Sequence, residues 1–539
     1  MFERSIGQYP RLLKAAVAAT LLTSCGSDSP TGPVTVSAQV SLAPGAFAVL
    51  AGSQISGAVE FPAAGNTGAE YLVVGQFAST TEATTTFTLG ASLTAALPAA
   101  PRPAPSVAQG FHDMLRQREA EMAQVAPMYR PLFKAPPQRT SPPTVGSKRT
   151  FKVCGTIACT ATVNVSATAQ FVGAHAAIFV DDSAPAGGFN ATDIAQVGAQ
   201  FDQVLWPIDN ARFGAESDID ANGVVVVLLT RQLNALVPSP ACNTSFITGY
   251  FFGGDIAPGF ATTYNNGEVF YGMVPDPAGM ASCPYSTAFV KRIIPVTFIH
   301  EFQHMISFNQ HVLVRGGSQE VLWLNEGMSH LAEELGGLHY DSAGVDTTAS
   351  RFFQGDFYNA SIWMTDPPNN AMVTETPPGS LEERGAEWIF LRYVMDQFGP
   401  TTSRTLEQTS LTGAANLQAA TGTTFNTLLA NWVLALFLSD YPGFTAPAAL
   451  KYSTWSFRST YAQLHGQDPG NFPRIFPLQP DSAQGSAALA SGSLGAGSGA
   501  YIIATQPAGG AGFQLVFRGQ NGGVVSSANS PQLAIARIH

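Results

Sequence analysis

The chain has 539 residues, 45% hydrophobic and only 12% charged, which fits a globular protein of several domains rather than a disordered chain. Its net charge of -11, with no basic cluster anywhere in the sequence, offers nucleic acid no footprint for its phosphates.

Taken from its start, the chain carries Arg4, Arg11 and Lys14 ahead of the apolar run Ala15 to Leu22, too short to span a bilayer and suited to the core of a signal peptide. Leu22-Thr23-Ser24-Cys25 then resembles the bacterial lipoprotein cleavage box. The resemblance implies a lipoprotein signal peptide over 1–24, with Cys25 as the lipid-bearing first residue of the mature protein. It also implies export and anchoring at a membrane surface, and Gly26 after the cysteine favours the outer membrane or cell surface. Residues 25–35 read as a short linker.

Between Lys14 and Arg102 there is no Lys or Arg, and residues 36–97 are rich in Val, Thr, Ala, Ser and Gly, with strand-like runs at Tyr71 to Val74 and Thr84 to Leu89. This segment is expected to form a small N-terminal β-sandwich-like domain. Residues 98–147 then read as a Pro-rich linker carrying a charged helix from about Phe111 to Met122. The helix equally suits an inhibitory pro-segment, although it contains no Cys to ligate a metal.

A third region, 148–475, opens with strands that include His175 to Val180, followed by a helix around Asp193 to Leu205. Asp218-x-Asp220-x-Asn222-Gly223 has the alternating oxygen side chains and sharp Gly turn that open a calcium loop. An EF-hand is excluded, because its closing Glu would fall at Leu229, inside the apolar strand Val224 to Leu229. The choice lies between a different Ca2+ site and a tight polar turn feeding a core strand. Beyond Cys25, the cysteines Cys154, Cys159, Cys242 and Cys283 form an even set suited to two disulfides. Three pairings exist; Cys154 with Cys159 and Cys242 with Cys283 is the local choice.

His300-Glu301-Phe302-Gln303-His304 carries the chemistry. On a helix the i, i+4 spacing points both imidazoles at one zinc ion and leaves Glu301 beside it as a base. Thr297-Phe298-Ile299 before it and Met305-Ile306 after it suit a buried helix, and Pro295 suits its first turn. Hydrolytic zinc takes three protein ligands and keeps a position for water. The metzincin extension fails, because Ser307 and Gln310 stand where it needs Gly and His, and His311 is one residue out of register. The other template places a Glu on a second helix, and Trp323 to Glu334 reads as one, with Leu324, Met328 and Leu331 at helical spacing.

Here the chain resembles the gluzincin metallopeptidases, in which the third ligand is the Glu of an Asn-Glu pair on the helix after HExxH. By that resemblance, Glu326 of Asn325-Glu326 is the ligand. More narrowly, residues 165–400 resemble the hyicolysin-type metallopeptidases, with Phe213-Gly214, Asp218 to Gly223 and Gly267-Glu268-Val269-Phe270-Tyr271 preceding His300. The resemblance implies an α+β zincin-like metallopeptidase domain, a sheet-bearing half against a helical half, flanked by small all-β modules. One position departs from it. Thermolysin-like gluzincins carry an Asp four residues after the ligand Glu to orient a metal-bound imidazole, and here that position is His330. His330 is a weaker substitute, and Glu333 or an acid elsewhere is a candidate for that role; His330 itself is a candidate to face substrate or an ordinary helix residue.

Glu383 to Gly399 reads as a helix backing the cleft, with Arg384 at its start, and further helices are expected from about Arg404 to Leu438. Arg384, Tyr340 and His339 are candidate oxyanion donors. Residues 476–539, rich in Gly and Ser and with strand-like Tyr501-Ile502-Ile503 and Phe513 to Phe517, are expected to form a C-terminal β module. The expectation is a secreted, lipid-anchored zinc endopeptidase acting on proteins or peptides, with Glu301 as general base. The alternatives are a catalytically inactive surface-displayed binding or adhesion protein on the same fold, and an exopeptidase.

Overall fold

The computed structural model describes residues 35–91, 106–129, 141–375, 379–519 and 522–539. The signal segment, Cys25 and most of the prolines around the linker helix lie outside the described residues.

Five strands open the described chain, β1 (Val36–Gln39), β2 (Phe47–Ala51), β3 (Ala58–Phe61), β4 (Ala69–Phe77) and β5 (Thr84–Gly90). Five close it, β12 (Asp481–Gln484), β13 (Leu489–Gly495), β14 (Gly499–Gln506), β15 (Phe513–Arg518) and β16 (Pro531–Arg537). The two sets interleave. One sheet runs β1-β3-β15-β5-β13 and the other β12-β14-β4-β16-β2. The expected N-terminal and C-terminal β modules are therefore one two-sheet sandwich. The reason lies in β4, whose neighbours on both sides, β14 and β16, come from the far end of the chain. Neither set of strands alone could satisfy its backbone edges. Phe61, Tyr71, Phe87 and Phe517 fill the interior between the sheets.

The segment between the two sets carries the site. Its sheet contains β6 (Lys148–Cys154), β7 (Thr162–Val172), β8 (Ala176–Asp181), β9 (Val225–Leu229), β10 (Gly249–Phe251) and β11 (Val269–Gly272), in the order β10-β11-β9-β8-β7-β6. The central strands β8, β9 and β11 are parallel, and β10 lies antiparallel at one edge. A parallel strand buried on both faces needs an unbroken apolar run, and Val225-Val226-Val227-Leu228-Leu229 supplies one.

The helices are α1 (Val107–Tyr129), α2 (Ala191–Gln200), α3 (Trp206–Arg212), α4 (Arg231–Ala235), α5 (Thr287–Phe308), α6 (Leu322–Ser342), α7 (Asp346–Thr365), α8 (Leu381–Phe398), α9 (Thr402–Glu407), α10 (Gly413–Thr421), α11 (Phe425–Leu438) and α12 (Phe457–Gln467), of which α2, α4 and α5 pack on this sheet and α6, α7 and α8 on one another. Ser286 caps α5 by accepting from Phe289 N. Pro295 is thus well inside α5 rather than in its first turn, and it forfeits one helical hydrogen bond. From Leu428 onward α11 is apolar and buried except at Asn431, which suits a helix walled in by neighbours. It packs on the outer face of the sandwich, where Gln76 and Gln532 donate to the Leu429 and Asn426 carbonyls. Among the described residues no helix is long and apolar enough to cross a membrane.

Disulfides join Cys154 to Cys159 and Cys242 to Cys283, with Cα separations of 4.8 and 5.7 Å. The helix expected as a linker is not built like one. On α1, Asp113, Arg116 and Glu119 are buried against the core of the central segment.

Candidate metal centre

The centre is built where α5 crosses α6. His300 and His304, one turn apart on α5, turn their Nε2 atoms toward a single carboxylate, Glu326 on α6. The distances are 3.6 Å from His300 Nε2 to Glu326 Oε2 and 3.7 Å from His304 Nε2 to Glu326 Oε1. Tetrahedral zinc with bonds of about 2.0–2.2 Å spaces its ligands at roughly 3.3–3.6 Å, so the gap matches an ion.

Each imidazole is held from behind. His300 Nδ1 lies 2.7 Å from Glu333 Oε1, and His304 Nδ1 lies 3.0 Å from Asn325 Oδ1. Both partners are acceptors, so Nδ1 carries the proton and the Nε2 lone pairs point at Glu326. The Ser329 hydroxyl, close to His304, gives its proton to Gln303 Oε1 at 2.6 Å. Three electron-pair donors therefore face one another, and buried Glu326 Oε2 has no hydrogen-bond partner. Such a set is satisfied by a cation, and these residues fit zinc.

A second triad, His300, His330 and Glu333, is also close. Its atoms already touch as hydrogen bonds, 2.7 and 3.1 Å from Glu333, too near to admit an ion between them. The first triad is the better metal site.

Helical spacing explains the assembly. Glu326, His330 and Glu333 stand at i, i+4 and i+7 on α6, along one face. His330 also bonds Asp356 on α7 through Nδ1, at 2.8 Å, while its buried Nε2 has no partner. Arg384 is fixed near the start of α8 by a capping box in which Ser380 and Glu383 exchange side-chain hydrogen bonds to backbone N–H groups. Its Nη1 lies 3.6 Å from Glu326 Oε2.

Glu301 is 1% exposed. One carboxylate oxygen accepts from Phe251 N on edge strand β10 at 2.9 Å; the other lies 3.5 Å from His112 Nδ1. Burial pushes its pKa up to about 7. His300, Glu301, His330, Arg384 and His112 all line one cavity of about 610 Å³.

The structure thus brings together His300, Glu301, His304, Glu326, His330, Glu333 and Arg384. Tyr340 is elsewhere, its hydroxyl accepting from Gln200 and its ring stacked on Phe352, and His339 beside it is exposed. Neither residue lines the cavity. His311, the near miss of the metzincin pattern, lies 3.5 Å from Glu407 instead.

Sequence reasoning expected helix α1 but missed its place at the site. Arg384 Nη2 is 3.3 Å from Asp113 Oδ1. Arg116 donates to the Phe251 carbonyl at 2.7 Å, and Glu119 accepts from Gly253 N at 2.6 Å and pairs with Arg116 at 3.2 Å. His112 is kept neutral, its pKa pushed down to about 3 by burial and the nearby Arg384. The available signal was His112, Arg116 and Glu119 on one helical face in a chain with few charges, but none has a metal-ligand spacing.

No protein-family model matches the chain, and no curated protein matches it.

Proposed function

We propose that the protein is a zinc-dependent metallopeptidase that hydrolyses peptide bonds, of the gluzincin type that its Asn325-Glu326 pair resembles. The observation that carries the reading is the facing of His300 Nε2 and His304 Nε2 onto both oxygens of Glu326, 3.6 and 3.7 Å away, with Glu301 buried beside them. When bound by these three residues, zinc supplies a Lewis acid that acidifies water and polarises a carbonyl. Glu301 takes the proton of the attacking water and hands it to the leaving amine. Burial raises the Glu301 pKa in the metal-free site, a direction that favours a group that both takes and returns a proton. Phe251 N holds one Glu301 oxygen, which leaves the other for that proton.

His330 and Arg384 supply the donors for the developing oxyanion. His330 has an unpartnered Nε2 and its other nitrogen tied to Asp356, and both residues line the cavity. Glu333 and Asn325 fix the two imidazoles. The reading extends to an exported, lipid-anchored protein through the motif ending at Cys25, and the two disulfides suit an oxidising compartment.

The test is direct. Purified protein holds one zinc per chain and cleaves casein, and a chelator abolishes cleavage. Glu301→Gln keeps the zinc and loses activity by about 10²–10⁴-fold. Zinc-loaded wild type that cleaves neither casein nor a mixed peptide library would turn the assignment toward a binding protein.

A further inference from the structure

Where the central strands β9 and β11 begin, the turn that feeds β9 meets the residue that opens β11. Carboxylate oxygens of Asp218, Asp220 and Glu268 lie within 4.8 Å of one another. We propose that these three residues form a calcium site, separate from the zinc centre.

Acidic side chains gather on many protein surfaces without a cation, but Glu268 is not a surface residue. It is 2% exposed, and its Oε2 is buried with no hydrogen-bond partner. Its Oε1 accepts from Ser217 Oγ at 2.5 Å and from Ile219 N at 3.0 Å, so the carboxylate is anchored at the turn. A buried carboxylate oxygen with no partner is a costly arrangement unless a cation joins it. The nearby guanidinium, Arg149, spends Nη2 on the Asn265 carbonyl. Gly267 permits the approach of the turn, because a Cβ there would meet Asp220 Oδ2 at 2.7 Å.

The donors are all oxygen, drawn from two chain segments, with a maximum spacing of 4.8 Å. Oxygens bound at 2.3–2.6 Å span up to about 5 Å across the ion, and Ca2+ tolerates such irregular sets, with water completing the shell. Mg2+ demands a tighter octahedron. The composition also corrects the pattern expected from sequence. Asn222 is not in the cluster, because its Oδ1 accepts from Val224 N and its amide donates to Asp220. Glu268, 46 positions further on, takes its place.

Bound there, Ca2+ ties the entry of β9 to the entry of β11. β11 pairs with β10, whose Phe251 N holds Glu301.

The test uses the full purified chain, stripped of calcium, with Ca2+ alone titrated by calorimetry and thermal unfolding. The expected result is one Ca2+ per chain with a Kd of about 10⁻⁴–10⁻³ M, as in extracellular modules, and a rise in Tm. Mg2+ at the same concentration gives a smaller rise. Glu268→Gln weakens Ca2+ binding at least tenfold while zinc content stays at one per chain. Asp218→Asn, at an exposed position, does the same if the buried variant fails to fold. No heat and no Tm change up to 10 mM Ca2+, or binding that survives both substitutions, would overturn the assignment. Zinc content and caseinolysis report separately on the metallopeptidase reading.

Discussion

Glu333 Oε1 lies 2.7 Å from His300 Nδ1, on the side of the ring away from Glu326. A carboxylate in that place fixes the tautomer and raises the basicity of Nε2, and losing such a partner typically weakens metal binding 10–100-fold. Glu333→Ala should therefore lower zinc affinity by about that factor, read by competition with a chromophoric chelator. Glu333→Gln, which keeps an acceptor oxygen without the charge, should fall between. Affinity equal to wild type in Glu333→Ala would remove Glu333 from the centre.

Helix α1 is part of the wall rather than a tether. Arg116 and Glu119 are buried as an ion pair, and both bond the backbone of the edge-strand segment, at Phe251 and Gly253. Arg116→Ala leaves Glu119 without its opposite charge, and breaking a buried pair on one side costs about 3–5 kcal/mol. Denaturant unfolding should show that loss. The double variant Arg116→Ala/Glu119→Ala should lose less than the sum of the two single losses.

That the proposed zinc ligands, base and orienting acid come together was legible because helical spacing is local: His300 to His304, and Glu326 to Glu333, each lie on one helix. What could not be read were partners supplied by tertiary packing. Asp356 behind His330, His112 beside Glu301 and Glu268 beside Asp218 come from other elements and share no spacing with the residues they serve. The sandwich was hidden for the same reason. Short apolar runs marked β4 and β14 as strands, but nothing local says that Ile502 pairs with Val73.

Gly385 sets how closely α8 approaches α7. A Cβ there would meet Ala360 N at 2.3 Å, a backbone atom that cannot swing aside. Gly385→Ala should force the helices apart, at about 1–3 kcal/mol or more. Its neighbour Arg384 moves with it, so peptidase activity should fall alongside Tm. An unchanged Tm would mean the crossing is looser than these contacts.

The two disulfides close loops of different length, with sequence separations of 5 and 41 residues. On loop entropy alone the longer contributes roughly 4 kcal/mol and the shorter roughly 2. Replacing Cys242 and Cys283 by Ser should lower stability more than replacing Cys154 and Cys159. Denaturant midpoints of the two double variants decide the order.

The calcium assignment fixes a pH dependence with a definite sign. Burial pushes the Glu268 pKa up to about 7 and also raises that of Asp220, with Asp218 adding repulsion and Arg149 opposing it. A carboxyl group whose pKa rises on folding stabilises the calcium-free fold fully below its ordinary value of 4.5, and that contribution is lost as pH climbs through about 7. Ca2+ competes with this proton, so it gains least where the proton is bound. The Tm increase from saturating Ca2+ should be small at pH 5.5 and larger at pH 8, and Glu268→Gln should flatten the difference. An increase of equal size at both pH values would mean that the ion binds groups other than Glu268.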